Sequence, residues 1–483
     1  MSEPTPADYR KLLIEALGSA PDANTTGPGL RTLFTPSSHR LALDPDVTVV
    51  RGARGTGKTF WAKALVDERL REIAAASYMM PRLRRTRVTT AFGLESEETG
   101  EPPFPYKRTR EKLVEDGAAP DELWAAIVLM ALNVPEIRRI EGWTDRVRWT
   151  RDNPEAYDAA IAAADRESRE RGETRVLLFD ALEHLHGVRE QTDRLLSGLF
   201  RLALELRLTT GTLRAKIFVR PDMYENAPKM FPDASKLGAN ATDLEWSREN
   251  LYGLLFHQLG NHTTPEAEKF RTATGTWRQE EGRHVAPVDV IADRKRQEEV
   301  FITLAGPFMG TDRRKGHTYT WVPNHLQDGR GRVSPRTWLK ALCKAAVLTG
   351  ERHAGHPVPL HYDAIRESLS SAADSRVAEL QDDIGWAALA VEQLENTQVP
   401  LQASAVHYAW HQGALVSKVR EQLKDERSGS GPRDLENPVA LLEELIELGV
   451  MTRRSGEAID LPDIYRLAFD ISRKGGVPRM PVN

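Results

Sequence analysis

A chain of 483 residues is longer than one hydrophobic core organises, so two to four domains are expected. Composition is that of a globular protein, and a formal charge of −4 with a pI near 6.4 gives no overall electrostatic reason to bind nucleic acid or an anionic membrane. The single cysteine, Cys343, excludes an internal disulfide. The N-terminus lacks a charged-then-apolar signal pattern and the longest apolar run, 123–132, is too short to span a bilayer, so a cytoplasmic protein is expected.

Residues 1–45 read as an extension: a short helix from Asp8 to Leu17, a Pro/Gly/Thr/Asn segment, and a lead-in to the first core strand, all expected to pack beside the site that follows. Strand-like Val47, Thr48, Val49 and Val50 then run into Gly52-Ala53-Arg54-Gly55-Thr56-Gly57-Lys58-Thr59, which fits G-x-x-x-x-G-K-[ST] at every fixed position. Backbone N–H groups can converge on a polyphosphate only where the chain turns tightly, and Gly52, Gly55 and Gly57 permit the positive φ and the close approach. Lys58 is expected to supply charge to the β and γ phosphates and Thr59 a hydroxyl for Mg²⁺. Phe60 opens the helix that presents the loop, with Trp61, Ala64 and Leu65 on its buried face.

Between about 77 and 172 the expectation is a helical elaboration of the core. RTRVTTAFGL carries a second strand, ESEETGEPPFPYKRTR is a surface loop, and the basic tracts Arg82, Arg84, Arg85, Arg87 and Lys107, Arg108, Arg110 read as a solvated face rather than a partner site. Val176, Leu177, Leu178 and Phe179 then form a buried parallel strand delivering Asp180 to the edge where open α/β sheets bind ligands. Asp180 is expected to hold the magnesium shell. Glu183 is the nearest carboxylate able to polarise an attacking water, the alternative being a surface helix residue. Ile217, Phe218 and Val219 carry Arg220 to the same edge, where it either meets the γ-phosphate or closes a salt bridge with Asp222 or Glu225.

Further on, Leu251, Leu254, Leu255 and Leu259 share one helix face with Ser247 as N-cap. A polar loop spans 260–290, and the stretch from Thr318 reads as a loop up to the helix opened by Ser334-Pro335-Arg336. Arg336 either points back at bound nucleotide or faces solvent. Residues 360–400 read as a polar helical bridge. The C-terminal order of a helix at 404–426, a Ser/Gly/Pro break at 428–432, a second helix, and the strand-like runs VMTRR and AIDLPDIYRLAF is a winged-helix pattern.

In this order the pieces resemble the P-loop ATPases of the AAA+/STAND group. RGARGTGKT looks like Walker A, VLLFDALE like Walker B in its STAND form, KIFVR like the sensor-1 strand, LEWSRENLYGLLFHQL like the first lid helix, and SPR like the lid's nucleotide sensor. Phe218, Arg220, Asp222 and Glu225 match the third motif FxRxDxxE of bacterial ATP-binding proteins within that group. The resemblance implies an α/β P-loop fold with a parallel sheet flanked by helices, then a helical lid and a C-terminal winged-helix-like domain. The corresponding boundaries are 1–45, 46–260 with an insertion at about 77–172, 261–348, a bridge at 349–400, and 401–483.

It also implies ATP and Mg²⁺ as cofactors, with Gly52–Phe60 and Arg336 on the nucleotide, Thr59 and Asp180 on the metal, and Lys58, Glu183 and Arg220 in hydrolysis. Ala181 follows Asp180 where the AAA+ pattern has a second carboxylate, which fits slow, switch-like turnover. The expected function is an ATP-driven molecular switch or assembly ATPase in bacterial regulation or defence, binding ATP and ADP and a protein partner or further copies of itself, with no membrane. The alternative is an ATP-controlled loader or initiator that uses the winged helix on DNA, the less favoured partner because Glu443, Glu444 and Glu447 oppose Arg453 and Arg454. No N-K-x-D guanine signature occurs, so GTP is not favoured.

Overall fold

The expected runs form four strands, β1 (Val49–Arg51), β2 (Thr86–Phe92), β3 (Thr174–Phe179) and β4 (Leu213–Val219), and a fifth that no apolar run announces, β5 (Ala241–Asp243), completes one parallel sheet in the order β2-β3-β4-β1-β5. The structure is a computed structural model and describes residues 4–18, 27–94, 101–424 and 431–480. The expected loop at 95–100, most of the Pro/Gly/Thr/Asn segment and the Ser/Gly break at 428–430 lie outside those residues. The chain divides into a sheet unit, Ser37–Glu245 with residues 27–29, and a helical unit made of the first helix, Leu30–Pro36 and the chain from Trp246 onward.

In the sheet unit both faces of the inner strands are buried, as continuous rather than alternating apolar runs require. Leu177, Phe179, Ala215 and Ile217 share one cluster with Trp124, Ile127, Leu196, Leu199 and Phe200 from the helices Pro120–Ala131 and Arg189–Thr209. Trp124 packs edge-on to Phe179 at 5.6 Å and its indole N–H donates to the Leu195 carbonyl at 2.7 Å, so its polar atom is satisfied inside the core. Between β2 and β3 lie Lys107–Glu115, Pro120–Ala131, Pro135–Arg138, Trp143–Asp152 and Pro154–Glu170, four of which bury apolar residues in that same cluster besides the one Trp124 belongs to. The lead-in to β1 is tied down by Lys216 of β4. Its ammonium donates to the carbonyls of Ala42, Asp44 and Val47 at 2.9, 2.9 and 2.8 Å, using all three of its protons. Burial pulls its pKa down to about 7.

The helical unit has its own core. The first helix, Pro6–Gly18, packs against Pro335–Arg352 there, and Arg10 donates to the carbonyls of Pro359 and Ala354. This helix, part of the extension expected to pack beside the phosphate loop, belongs to the helical unit, where Leu12, Leu13, Ala16 and Leu17 are core residues. Ser247 does cap Arg248–Asn261, accepting from the Asn250 N–H at 3.1 Å. The polar loop expected at 260–290 instead holds the helix Pro265–Thr274 and a hairpin, Arg278–Glu280 with Arg283–Val285.

The loop expected from Thr318 begins with a helix, Thr318–Leu326, despite an internal Pro323. Proline there removes the N–H that would bond the carbonyl four residues back, which is that of Tyr319. The Tyr252 hydroxyl donates to that carbonyl at 2.8 Å, while the Tyr252 and Tyr319 rings stack at 4.1 Å. The stretch read as a polar bridge is the helix Tyr362–Glu392, kinked at Ile384, and its Ile365, Leu369, Val377 and Leu380 enter the core. At the C-terminus, the single helix expected over 404–426 is two, Ala403–Gln412 and Leu415–Gln422, broken where Ala414 adopts φ 52°. Pro438–Leu448 and a short antiparallel pair, Thr452–Arg453 with Ile459–Asp460, follow. Among the described residues no helix is long and apolar enough to cross a membrane.

Candidate functional site

The loop after β1 has the conformation its glycines permit. Gly55 and Gly57 take φ of 78° and 102°, and Gly57 is the N-cap of the helix Lys58–Val66. Gly52 serves by close approach: a Cβ there would lie 2.5 Å from Thr56 Oγ1 and 3.1 Å from Lys58 Cγ. Thr56 closes the loop on itself, its hydroxyl donating to the Ala53 carbonyl at 2.8 Å. Lys58 is buried, with Nζ donating to the carbonyls of Gly52 at 2.9 Å and Ala53 at 3.3 Å. Arg54 and Phe60 are half-buried, Phe60 lying edge-on to Trp61 at 5.8 Å.

The helix is anchored from below. Trp61 Nε1 donates to His39 Nδ1 at 2.9 Å, and His39 Nε2 is 3.1 Å from the Glu245 carbonyl, so Nδ1 accepts, Nε2 carries the proton and the ring is neutral. Burial holds the His39 pKa down at about 4.

The order of the strands puts β4 between β1 and β3, so the residues ending all three share one sheet edge. Asp180 follows β3 and is buried; its Oδ1 has no hydrogen-bond partner, and the Thr59 hydroxyl is among the groups that favour its ionised form. Burial first, then the like charge of Glu183, push Asp180 up to about 6 against the pull of Lys58 and Thr59. Ala181 adopts φ 56°, a left-handed conformation uncommon for a residue with a Cβ, and leads into the single turn Leu182–His184. Glu183 on that turn is reached by solvent. Surrounding protein raises its pKa, but Lys58 above all, then its own backbone N–H, His184 and Arg220, bring the balance below the ordinary value. Burial lowers the Lys58 pKa, and Glu183 and Asp180, in that order, oppose the fall.

Arg220 follows β4 and forms a fork with Asp222, Nε to Oδ1 at 3.1 Å and Nη2 to Oδ2 at 2.9 Å. Of the two roles open to it in the sequence, the salt bridge with Asp222 is formed, and Arg220 remains within electrostatic reach of both Lys58 and Glu183. Lys58, Thr59, Asp180, Glu183 and Arg220 are thus gathered within the sheet unit. Arg336 belongs to the helical unit, where it lies 3.5 Å from Glu379.

One member of the basic tracts departs from the expected solvated face. Arg84, Arg85, Arg87, Lys107 and Arg108 are exposed, but Arg110 is buried. Its guanidinium donates to the carbonyls of Leu185 at 2.7 Å, Pro105 at 2.8 Å and His184 at 2.5 Å, and lies over the Phe92 ring. It therefore clasps the turn that carries Glu183. Residues 74 and 75 positions apart make these contacts, so no local pattern announces them.

No family model matches the chain, and no curated protein matches it. Among solved structures it is similar to the ORC2 protein of Aeropyrum pernix in its ADPNP-ADP complexes, with 15% identity, 88% of this chain and 86% of that chain covered, and a TM-score of 0.37. It is similar also to the ADP form of that protein, with 14% identity, coverage of 94% and 93%, and a TM-score of 0.33.

Proposed function

We propose that the sheet unit is an ATP-binding, Mg²⁺-dependent ATPase core of the AAA+/STAND kind, and that the protein works as a nucleotide-driven switch or assembly ATPase, in bacterial regulation or defence. The observation that carries the reading is the convergence of a glycine-turned loop, Lys58, Thr59, Asp180, Glu183 and Arg220 on one sheet edge. In this reading the loop from Gly52 to Phe60 holds the phosphates, and the ammonium of Lys58 exchanges its two carbonyl acceptors for phosphate oxygens of higher charge.

The residues fit a hard divalent cation. Asp180 has a buried oxygen with no partner beside the Thr59 hydroxyl, an oxygen donor set of the kind Mg²⁺ takes together with substrate phosphates. When bound, Mg²⁺ would neutralise charge on the β and γ phosphates. Glu183, kept ionised at neutral pH, accepts a proton from the attacking water, and Arg220 offers its charge to the transferred phosphoryl group while Asp222 fixes its orientation.

ATP turnover in three forms of the protein tests this. Lys58→Ala is expected to lose nucleotide binding and turnover, whereas Glu183→Gln keeps binding and loses on the order of 10²-fold or more in kcat. Unchanged turnover in both variants overturns the assignment.

A further inference from the structure

The register of β3 puts Arg175 opposite Arg87 of β2 on one side and opposite Leu213 of β4 on the other. Neighbouring strands run only about 4.8 Å apart, so two guanidinium-bearing residues stand side by side on the same face of the sheet. This is the face whose next residues along β3, Leu177 and Phe179, enter the core, at the end of the strand remote from Asp180.

Arg175 is 4% exposed, its Nε is buried with no hydrogen-bond partner, and among the described residues its side chain makes no ion pair. A guanidinium cannot shed its proton to escape burial, so the charge persists. The carboxylates within reach do not answer it: Glu167 pairs with Arg171 at 2.7 Å, and Glu173, just before the same strand, makes no ion pair with Arg175 among the described residues. Arg87 is Arg175's strongest charged neighbour, ahead of Glu167, Glu173 and Arg171, and like it makes no ion pair among the described residues. A buried unpaired cation next to a second one is an arrangement a protein keeps at a cost unless something anionic joins it.

We propose that Arg87 and Arg175 form an anion site that takes a phosphate group, at the sheet margin opposite the candidate nucleotide edge. Two adjacent guanidinium groups offer forked N–H donors matched to a tetrahedral oxyanion. Arg87, exposed, is the entrance and Arg175 the floor. Nothing in this rests on the ATPase reading.

The test uses the full chain in a Lys58→Ala background, so that the glycine loop contributes little, with phosphate-free chloride buffer as reference. Calorimetric titration with inorganic phosphate is expected to find one site that weakens at least about tenfold in Arg175→Met and in Arg87→Met. In the phosphate-free buffer, Arg175→Met is expected to melt at the same temperature or higher, because it removes an uncompensated buried charge. Titration with ADP in the same forms separates free phosphate from a nucleotide's phosphate as the source; loss of either ligand's binding in both variants supports the site. Equal phosphate and ADP affinity in all three forms overturns the proposal. So does a fall in Tm, or failure to fold, of Arg175→Met without phosphate, since the guanidinium would then be a structural strut.

Discussion

His39 ties stability to pH through the candidate site's supporting helix. Its folded pKa of about 4 lies below the ordinary 6.5, so between these values the unfolded chain binds a proton that the native protein does not. Stability from this group is complete above about pH 6.5 and is lost as pH falls toward 4, by up to about 3 kcal/mol for a shift of that size. His39→Gln is expected to be less stable at neutral pH and to lose this part of the acid dependence, read from urea unfolding at pH 7, 5.5 and 4. An acid dependence identical to wild type would show that His39 does not titrate with unfolding. None of this is visible in SSHRLAL; the histidine matters only because Trp61 and the Glu245 carbonyl close on it from distant positions.

Two elements hold the candidate site in shape. Gly52 is required by space, not by φ, so Gly52→Ala must push Thr56 or Lys58 aside and is expected to weaken ATP binding about tenfold or more with little change in Tm, by titration and melting. The turn bearing Glu183 is held by Arg110, and Arg110→Ala is expected to lower kcat by on the order of tenfold while leaving KM nearly unchanged, because the turn and not the loop is released. A KM rise with kcat unchanged would place Arg110's effect in binding instead. At this scale the sequence is readable where chemistry is local. The glycines, Lys58 and the strand-end positions of Asp180 and Arg220 follow from spacing alone. The left-handed Ala181 and the burial of Arg110 do not, since backbone strain and contacts across 74 residues leave no periodic trace.

Across the whole molecule, four strands of the parallel sheet were legible from their apolar runs, while β5 (Ala-Thr-Asp, with no apolar run) was not, and the helical unit was legible only in part. Thr318–Leu326 hides behind its proline, and Tyr362–Glu392 reads as polar because the buried stripe is diluted by many charges on its other faces. Three arginines of the C-terminal module are held in ion pairs. Arg453 pairs with Glu443 and with Glu457 at 2.7 Å, Arg454 with Asp460 at 2.6 Å, and Arg433 with Glu444 at 3.6 Å and with Glu447. The full chain is therefore expected to show no affinity for duplex DNA even at low salt, by fluorescence anisotropy, and binding that falls steeply with added salt would favour the loader reading instead. The Tyr252 hydroxyl bears on a different matter, the order in which this chain can change. Pro323 leaves the Tyr319 carbonyl without its helical partner, and Tyr252 supplies one. Losing the hydroxyl at 252 is thus expected to cost more stability while proline stands at 323 than after it has gone, which couples two positions 71 residues apart.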